Sequence, residues 1–189
     1  MKDKIFSNYS EEKIKNIVKK AKSYNKEAFA QIYEIYHDPI YKYIFYRTGD
    51  NEITNDLTHD VFHKILKNIK NYKLGDVPFS VWVFKISKNI LINFYKHKEI
   101  ENKHGYLLSE HLITKNDSKN HDINRYLVDA INKLKLEERR VITYKFISDL
   151  SNKETADILG KSIGAIKSIQ YRAIKKLNKI LIKKDYYDK

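Results

Sequence analysis

The stretch Ser151–Leu177, SNKETADILGKSIGAIKSIQYRAIKKL, decides how the C-terminal part of the chain folds. Ser151 and Glu154 have the spacing of a capping box, in which each side chain accepts a hydrogen bond from the other residue's backbone amide. Gly160 follows a short apolar run, where a sharp turn favours a residue that tolerates positive φ. Apolar residues then recur three and four positions apart from Ile166 onward. The stretch therefore predicts two helices joined by a tight turn, a helix-turn-helix.

The second helix of this pair has two chemically different faces. Its apolar stripe consists of Ile166, Ile169, Ala173, Leu177 and Ile180. The opposite face carries Gly164, Ser168, Tyr171 and Lys175, flanked by Lys167 and Arg172. From Lys161 to Lys184 there are eight Lys and Arg residues and no Asp or Glu. A basic face that begins with small residues is typical of a helix whose N-terminal end enters the DNA major groove, although lysine-rich faces also occur on ordinary solvated helices.

The composition of the whole chain favours a polyanionic partner. The 189 residues carry a formal net charge of +13 and give a pI near 9.5. The absence of cysteine excludes disulfides and cysteine-based metal sites. No apolar run has the length of a transmembrane helix, and the N-terminus, MKDKIFSNYSEEK, is too charged for a signal peptide. These features predict a cytoplasmic protein.

Helical periodicity runs along the whole chain, and Gly and Pro are scarce, with five and two residues. We therefore expect an all-α protein. The predicted helices are Glu11–Tyr24, Lys26–His37, Pro39–Arg47, Ile53–Ile69, Pro78–Lys98, Ile123–Leu134, Glu137–Ile147, Asn152–Leu159 and Ile163–Lys183. Residues 99–122 are polar, mixed in charge and without a sustained apolar stripe, which is typical of a linker. The expected organisation is two small helical domains, residues 1–98 and 123–189, joined by this polar linker.

Basic and aromatic residues interleave in the predicted helix Pro78–Lys98, which contains no acidic residue. The residues concerned are Lys85, Lys88, Lys96 and Lys98 among Trp82, Phe84, Phe94 and Tyr95. Such a pattern suits single-stranded nucleic acid, because phosphates pair with the cations and bases stack on the rings. Aromatic residues at helical spacing are also common in a buried core, so the pattern leaves both roles open for each ring.

Taken in order, the segments of this chain resemble bacterial RNA polymerase sigma factors of the small, two-domain extracytoplasmic-function (ECF) type, within the sigma-70 family. AFAQIYEIYHDPIYKYIFYRTGD, residues 28–50, resembles the opening helices of sigma domain two. DLTHDVFHKI, residues 56–65, resembles the segment that grips the polymerase. FSVWVFKISKNILINFYKHK, residues 79–98, resembles the promoter-melting helix, and residues 131–177 resemble sigma domain four.

The resemblance implies a function and a set of contact residues. Residues 1–98, as sigma domain two, would bind core RNA polymerase and open the minus-ten promoter element, and residues 123–189, as sigma domain four, would recognise the minus-thirty-five element. The residues implied in core-polymerase binding are Asp56, Leu57, Asp60 and Phe62. Those implied at minus-ten DNA are Trp82, Lys85, Lys88, Asn89, Asn93 and Lys96. Those implied at minus-thirty-five DNA are Ser162, Ala165, Lys167, Ser168, Tyr171, Arg172 and Lys175. Phosphate contacts are expected from Lys161, Lys167, Lys175 and Lys176.

The sequence departs from the family pattern at four positions. Asn93 stands where the family usually has Asp, and Lys96 where it often has Arg. In the DNA-reading helix, Ile169 stands where Arg is frequent and Gln170 where an apolar residue is frequent, so the rotation of this helix about its axis stays open. An anti-sigma factor is a further partner that the resemblance neither requires nor excludes.

Three other interpretations compete with this one. His59 and His63 have the spacing of the zincin H-E-x-x-H motif, but Asp60 is shorter than the usual general-base Glu and no third ligand is evident. A stand-alone helix-turn-helix regulator would need a ligand or dimerisation domain in place of residues 26–98. A purely structural helical protein does not explain two acid-free basic helices at the places of promoter contacts. With no catalytic constellation in the sequence, we expect no enzymatic activity, no cofactor and no metal.

Overall fold

The computed structural model describes residues 9–103 and 125–185, and all regular structure within them is helical, which confirms the all-α class. The elements are α1 (Glu11–Ala21), α2 (Lys26–Thr48), α3 (Asn51–Asn68), a 3₁₀ turn (Ile69–Asn71), α4 (Phe79–Lys103), α5 (Arg125–Asn132), α6 (Leu136–Ile142), a π-helical turn (Thr143–Ile147), α7 (Asn152–Leu159) and α8 (Ile163–Asp185). Contacts divide the chain into two compact units, residues 1–116 and 117–189.

Helix α4 is longer than the sequence pattern predicts. It continues from Lys98 to Lys103, through the first residues of the expected linker 99–122. Neither Gly nor Pro interrupts the chain there, and helix formers such as Glu99 and Lys103 allow propagation to continue. Residues 104–122 of the expected linker lie outside the part of the chain that the structure describes.

Helix α2 is the central element of the N-terminal unit and packs against α1, α3 and α4. It runs unbroken through Pro39, so the prediction of separate helices ending at His37 and beginning at Pro39 is wrong. Proline removes one backbone hydrogen bond and crowds the preceding turn. Pro39 is nevertheless buried, as are Ile35 and Ile40 on either side of it. Tertiary packing therefore outweighs the local preference for a break.

The C-terminal unit has a small apolar core built from α6, α7 and α8. Val141, Ala156, Ile166 and Ile169 form one buried cluster, with Leu159 packed against it. The predicted helix Glu137–Ile147 is divided into α6 and the π-helical turn. This turn buries Tyr144 and leaves Phe146 exposed. The core fixes α8 across α6 and α7 and so determines which face of α8 reaches solvent.

Candidate nucleic-acid and polymerase interfaces

The helix-turn-helix predicted from Ser151–Leu177 is present as α7 and α8. The Ser151 hydroxyl accepts a hydrogen bond from the Glu154 amide at 3.1 Å, and the Glu154 carboxylate accepts one from the Ser151 amide at 2.8 Å. Gly160 ends α7 in the left-handed region, at φ 65° and ψ 40°. The Ser162 hydroxyl then accepts a hydrogen bond from the Ala165 amide at 3.2 Å. Ser162 thus caps the first turn of α8. The sequence predicted the capping box and the turn at Gly160 correctly, but not the cap at Ser162.

Burial fixes the rotation of α8 that the sequence left open. Ile169 is only 5% exposed and lies in the core beside Ile166, whereas Tyr171 is 70% exposed. Gln170 is half-buried at the boundary between the two faces. The exposed residues of the predicted DNA-reading set are Ser162, Lys167, Ser168, Tyr171, Arg172 and Lys175, and Ala165 is half-buried. We call this set the α8 face; it is basic and separate from the apolar stripe.

Two lysines that were expected to contact phosphates are bound to glutamates of α6 instead. Lys161 Nζ lies 2.8 Å from Glu137 Oε1. Lys176 Nζ donates to both carboxylate oxygens of Glu138, at 2.7 and 2.9 Å. Lys167 and Lys175 make no ion pair with any residue that the structure describes. These pairs join residues that are distant in sequence, so they depend on how α6 packs against the α7–α8 turn and α8.

The Glu138 carboxylate is a structural group of the C-terminal unit. Its side chain is 7% exposed, and it also accepts a hydrogen bond from the Lys135 amide at 3.2 Å. Burial alone would raise the pKa of Glu138, but the hydrogen bonds from Lys176 and Lys135 outweigh it and hold that pKa below its ordinary value. The carboxylate is therefore ionised at neutral pH and ties α6 to α8.

Helix α4 presents a polar strip along one side. Lys85, Asn89, Asn93 and Lys96 are exposed at helical spacing, and Lys88 is half-buried. We call these five residues, with Trp82, the α4 strip. The sequence left both core packing and base stacking open for the aromatic residues of α4, and the structure shows that they differ in burial. Phe79 and Phe84 are buried, Trp82 and Phe94 are half-buried, and Tyr95 is exposed.

Trp82 and the segment before α4 are held by aromatic contacts, one long-range hydrogen bond and one local hydrogen bond. The Trp82 ring lies 5.4 Å from both the Tyr72 and Phe79 rings, measured between centroids. Lys22 Nζ donates to the Tyr72 carbonyl at 2.6 Å, and the Tyr72 hydroxyl donates to the Val77 carbonyl at 2.6 Å. Sequence reasoning missed Lys22 and Tyr72, because a contact between residues so far apart leaves no local pattern.

Helix α3 separates its acidic residues from its apolar ones. Asp56 and Asp60 are exposed and lie one turn apart, on what we call the α3 acidic face. Leu57 is 7% exposed and Phe62 is buried, and the Phe62 ring packs 4.5 Å from that of Tyr33. Both side chains lie in the core of the N-terminal unit, and their expected contact with core polymerase remains a prediction. They belong to the apolar stripe that packs on α2.

The histidines near this face show no metal-site geometry. His59 and His63 are exposed, and within residues 9–103 and 125–185 no three His, Cys, Asp or Glu side chains are grouped to hold a metal ion. Burial lowers the pKa of the neighbouring His37 from its ordinary value; the charge of Asp38 acts in the opposite direction and that of His59 in the same one. His37 is therefore a neutral, half-buried ring at neutral pH.

Each of the two units matches a known region of the sigma-70 family. Residues 32–99 match Sigma-70 region 2, and residues 124–177 match Sigma-70, region 4. The ECF RNA polymerase sigma factor BldN of Streptomyces coelicolor is 31% identical over 170 residues, which cover 87% of this chain and 64% of BldN. The ECF RNA polymerase sigma factor SigX of Bacillus subtilis is 24% identical over 163 residues, covering 82% of this chain and 84% of SigX.

A solved structure has the same fold. It is the sigma factor RpoE in complex with the anti-sigma factor NepR from Bartonella quintana, which superimposes with a TM-score of 0.65 at 22% identity and covers 81% of this chain and 96% of that one. Among the described helices, none is long and apolar enough to cross a membrane.

Proposed function

We propose that this chain, which belongs to the sigma-70 family and to its ECF group, is a sigma factor that binds core RNA polymerase and directs promoter-specific transcription initiation. One observation carries the proposal: region 2 and region 4 both match, in the family's order, and each falls in a separate compact unit. The competing interpretation, a stand-alone helix-turn-helix regulator, does not account for the region 2 match over residues 32–99.

The two units divide the work between polymerase and DNA. Residues 1–98 act as sigma domain two and residues 123–189 as sigma domain four, with residues 99–122 between them. Core polymerase and promoter DNA share the cytoplasm of a bacterium, and the chain works there. We assign it no catalytic reaction, since its contribution is binding and positioning. An anti-sigma factor is its regulatory partner by analogy with RpoE, which is solved in complex with one.

The α3 acidic face is the proposed contact with core polymerase. Asp56 and Asp60 are exposed carboxylates on a protein of net charge +13, so an interface through them selects a basic partner surface. Leu57 and Phe62, named with them from the resemblance, are buried and support this face from the core.

The α4 strip is the proposed site for the melted strand of the minus-ten element. Its lysines meet phosphates, and Asn89 and Asn93 offer both donors and acceptors to extruded bases. Trp82, the first residue of the strip, is half-buried against Tyr72 and Phe79.

The α8 face is the proposed site for the minus-thirty-five element in duplex DNA. Ser168 and Arg172 carry donors for base edges in the major groove, and Lys167 and Lys175 supply phosphate contacts. Ile169 lies in the core and reads no base.

The double change Asp56→Lys with Asp60→Lys tests the polymerase contact. Removing a desolvated interface charge costs about 2–5 kcal/mol of binding free energy, and reversal adds repulsion. The variant should lose co-purification with core polymerase and fail to start transcripts in vitro, while its circular dichroism stays unchanged. Glu12→Lys with Glu27→Lys is the charge-matched control on α1 and α2, and it should bind normally. Undiminished binding by the α3 variant would remove this face from the proposal.

A further inference from the structure

We propose that Glu137 limits sequence-independent DNA binding by the C-terminal unit, because it holds Lys161 off the phosphate backbone. The inference rests on the proposed function, in that the α8 face must meet DNA. Lys161 lies in the turn between α7 and α8 and directly precedes Ser162, the cap of α8. Its ammonium lies 2.8 Å from the Glu137 carboxylate. A lysine at this position can reach a DNA phosphate beside the major groove, but the ammonium of Lys161 is paired with Glu137 instead.

Glu137 is a negative charge at the edge of a basic surface. Residues 161–184 contain no acid, and Glu137 reaches this surface from the first turn of α6. The hydrogen bond and charge of Lys161, followed by the charges of Arg140 and Arg172, hold the pKa of Glu137 below its ordinary value. Arg172 belongs to the α8 face, so the Glu137 carboxylate is near enough to act on that face as well.

The Glu137–Lys161 pair is more open to solvent than the neighbouring Glu138 carboxylate. The Glu138 side chain is 7% exposed and ties α6 to α8 through Lys176. The Glu137 side chain is 59% exposed, and its partner Lys161 is 33% exposed. Ion pairs this open to solvent contribute little to stability. We therefore expect Glu137 to affect the binding of another charged molecule to this surface rather than the stability of the fold.

The charged molecule is duplex DNA. Its binding releases counterions, so the number of phosphate contacts can be measured from the salt dependence of the affinity. Each lysine that neutralises a phosphate adds about 0.9 to the slope of log affinity against log salt. While Lys161 stays on Glu137 this contact is absent, and the carboxylate also repels nearby phosphates. Base contacts from Ser168 and Arg172 then make up a larger share of the binding free energy.

The test measures binding of the full chain to a random-sequence DNA duplex by fluorescence anisotropy across a salt series. Glu137→Gln keeps the side-chain shape and removes the charge. The ratio of Kd at about 200 mM salt to Kd at about 50 mM salt should rise about threefold, because one phosphate contact is added. In a Lys161→Gln background the same change should leave the salt slope unaltered.

Asp157→Asn is the matched control, since it removes one exposed carboxylate from α7 in the same helix-turn-helix. It should leave the salt slope unchanged. An unchanged slope in Glu137→Gln, or an equal increase in the Lys161→Gln background or in Asp157→Asn, would overturn the inference. Lys175→Ala separates this from a failure of the proposed function: it should lower the slope by about one. A slope that falls in Lys175→Ala but stays unchanged in Glu137→Gln overturns only the inference about Glu137, whereas a slope unchanged in both variants removes the α8 face as the DNA contact.

Discussion

Helices α4 and α8 carry the two proposed DNA surfaces, and they are held in different ways. Helix α8 has an apolar stripe on one side and basic residues on the other, and the pair of Lys176 with Glu138 ties it to α6. Helix α4 mixes the two roles: Trp82 borders the proposed DNA strip and also packs on Tyr72 and Phe79. Stability and DNA recognition should therefore be separable by mutation in α8 and coupled in much of α4.

The largest expected effect tests the separation within α8. Ile169→Ala removes a buried side chain from the small cluster with Val141, Ala156 and Ile166. It should lower the free energy of unfolding by about 2–5 kcal/mol. Its neighbour Ser168→Ala, on the exposed face, should stay within about 0.5 kcal/mol of the parent. Urea denaturation followed by circular dichroism measures both, and equal stability of the two variants would contradict the assigned rotation.

The next effect concerns the link between α6 and α8. Glu138→Gln weakens hydrogen bonds made by a charged group and should cost about 1.5–3 kcal/mol of stability. The depressed pKa of Glu138 means that its contribution is complete above the ordinary value of 4.5 and is lost as the pH falls through the lower, folded-state pKa. Unfolding of the parent should therefore become easier in acid below that value, and Glu138→Gln should flatten this dependence. A pH series of urea midpoints provides the measurement.

A third prediction divides the α8 face by type of DNA contact. Arg172→Ala should change which upstream sequence is preferred, by about 1–3 kcal/mol for a lost base contact. Lys175→Ala should weaken binding alike on all sequences, because phosphate contacts carry no sequence information. Selection of bound duplexes from a random pool, with the holoenzyme as the binder, distinguishes the two results. A shifted preference in Lys175→Ala would reverse these roles.

The smallest effect concerns two exposed residues of α4 that lie away from the shared position of Trp82 and should affect stability and promoter opening separately. The Tyr95 hydroxyl donates to the Arg47 carbonyl at 2.5 Å, so Tyr95→Phe should lower stability by about 0.5–1.5 kcal/mol. Asn93 is exposed two positions earlier. Asn93→Ala should leave stability unchanged and slow promoter opening, as followed by permanganate reactivity of melted thymines, by about 2- to 12-fold for one lost hydrogen bond. Normal opening by both Asn93→Ala and Asn89→Ala would place the melted strand elsewhere.

The parts of the fold that could be predicted from the sequence are those with local causes. The capping box at Ser151, the turn at Gly160 and the stripe through Ile169 all lie within one short stretch, and the structure confirms them. The predicted helix break at Pro39 was wrong, because α2 is kept continuous by packing against distant parts of the chain.

In the proposed sites, too, only features with a local cause in the sequence could be predicted. Exposed positions such as Asp60 and Arg172 followed from helical periodicity and remain predictions as contacts. Leu57 was assigned to the polymerase contact from a motif; its side chain is 7% exposed, and the contact remains a prediction. The pairing of Lys176 with Glu138 depends on how α6 and α8 pack, so no local pattern could specify it.

The hydrogen bond from Lys22 bears on where this protein can be cut. The region 2 match begins at residue 32, which suggests that the preceding residues are dispensable. Yet Val18 and Ala21 are buried, and Lys22 donates a hydrogen bond to the carbonyl of Tyr72, whose ring packs on Trp82. A protein trimmed to the matched region would lose this support and expose an apolar patch on α2. The stretch that matches region 2 and the stretch that can fold on its own therefore begin at different residues. A shortened protein for expression should keep α1.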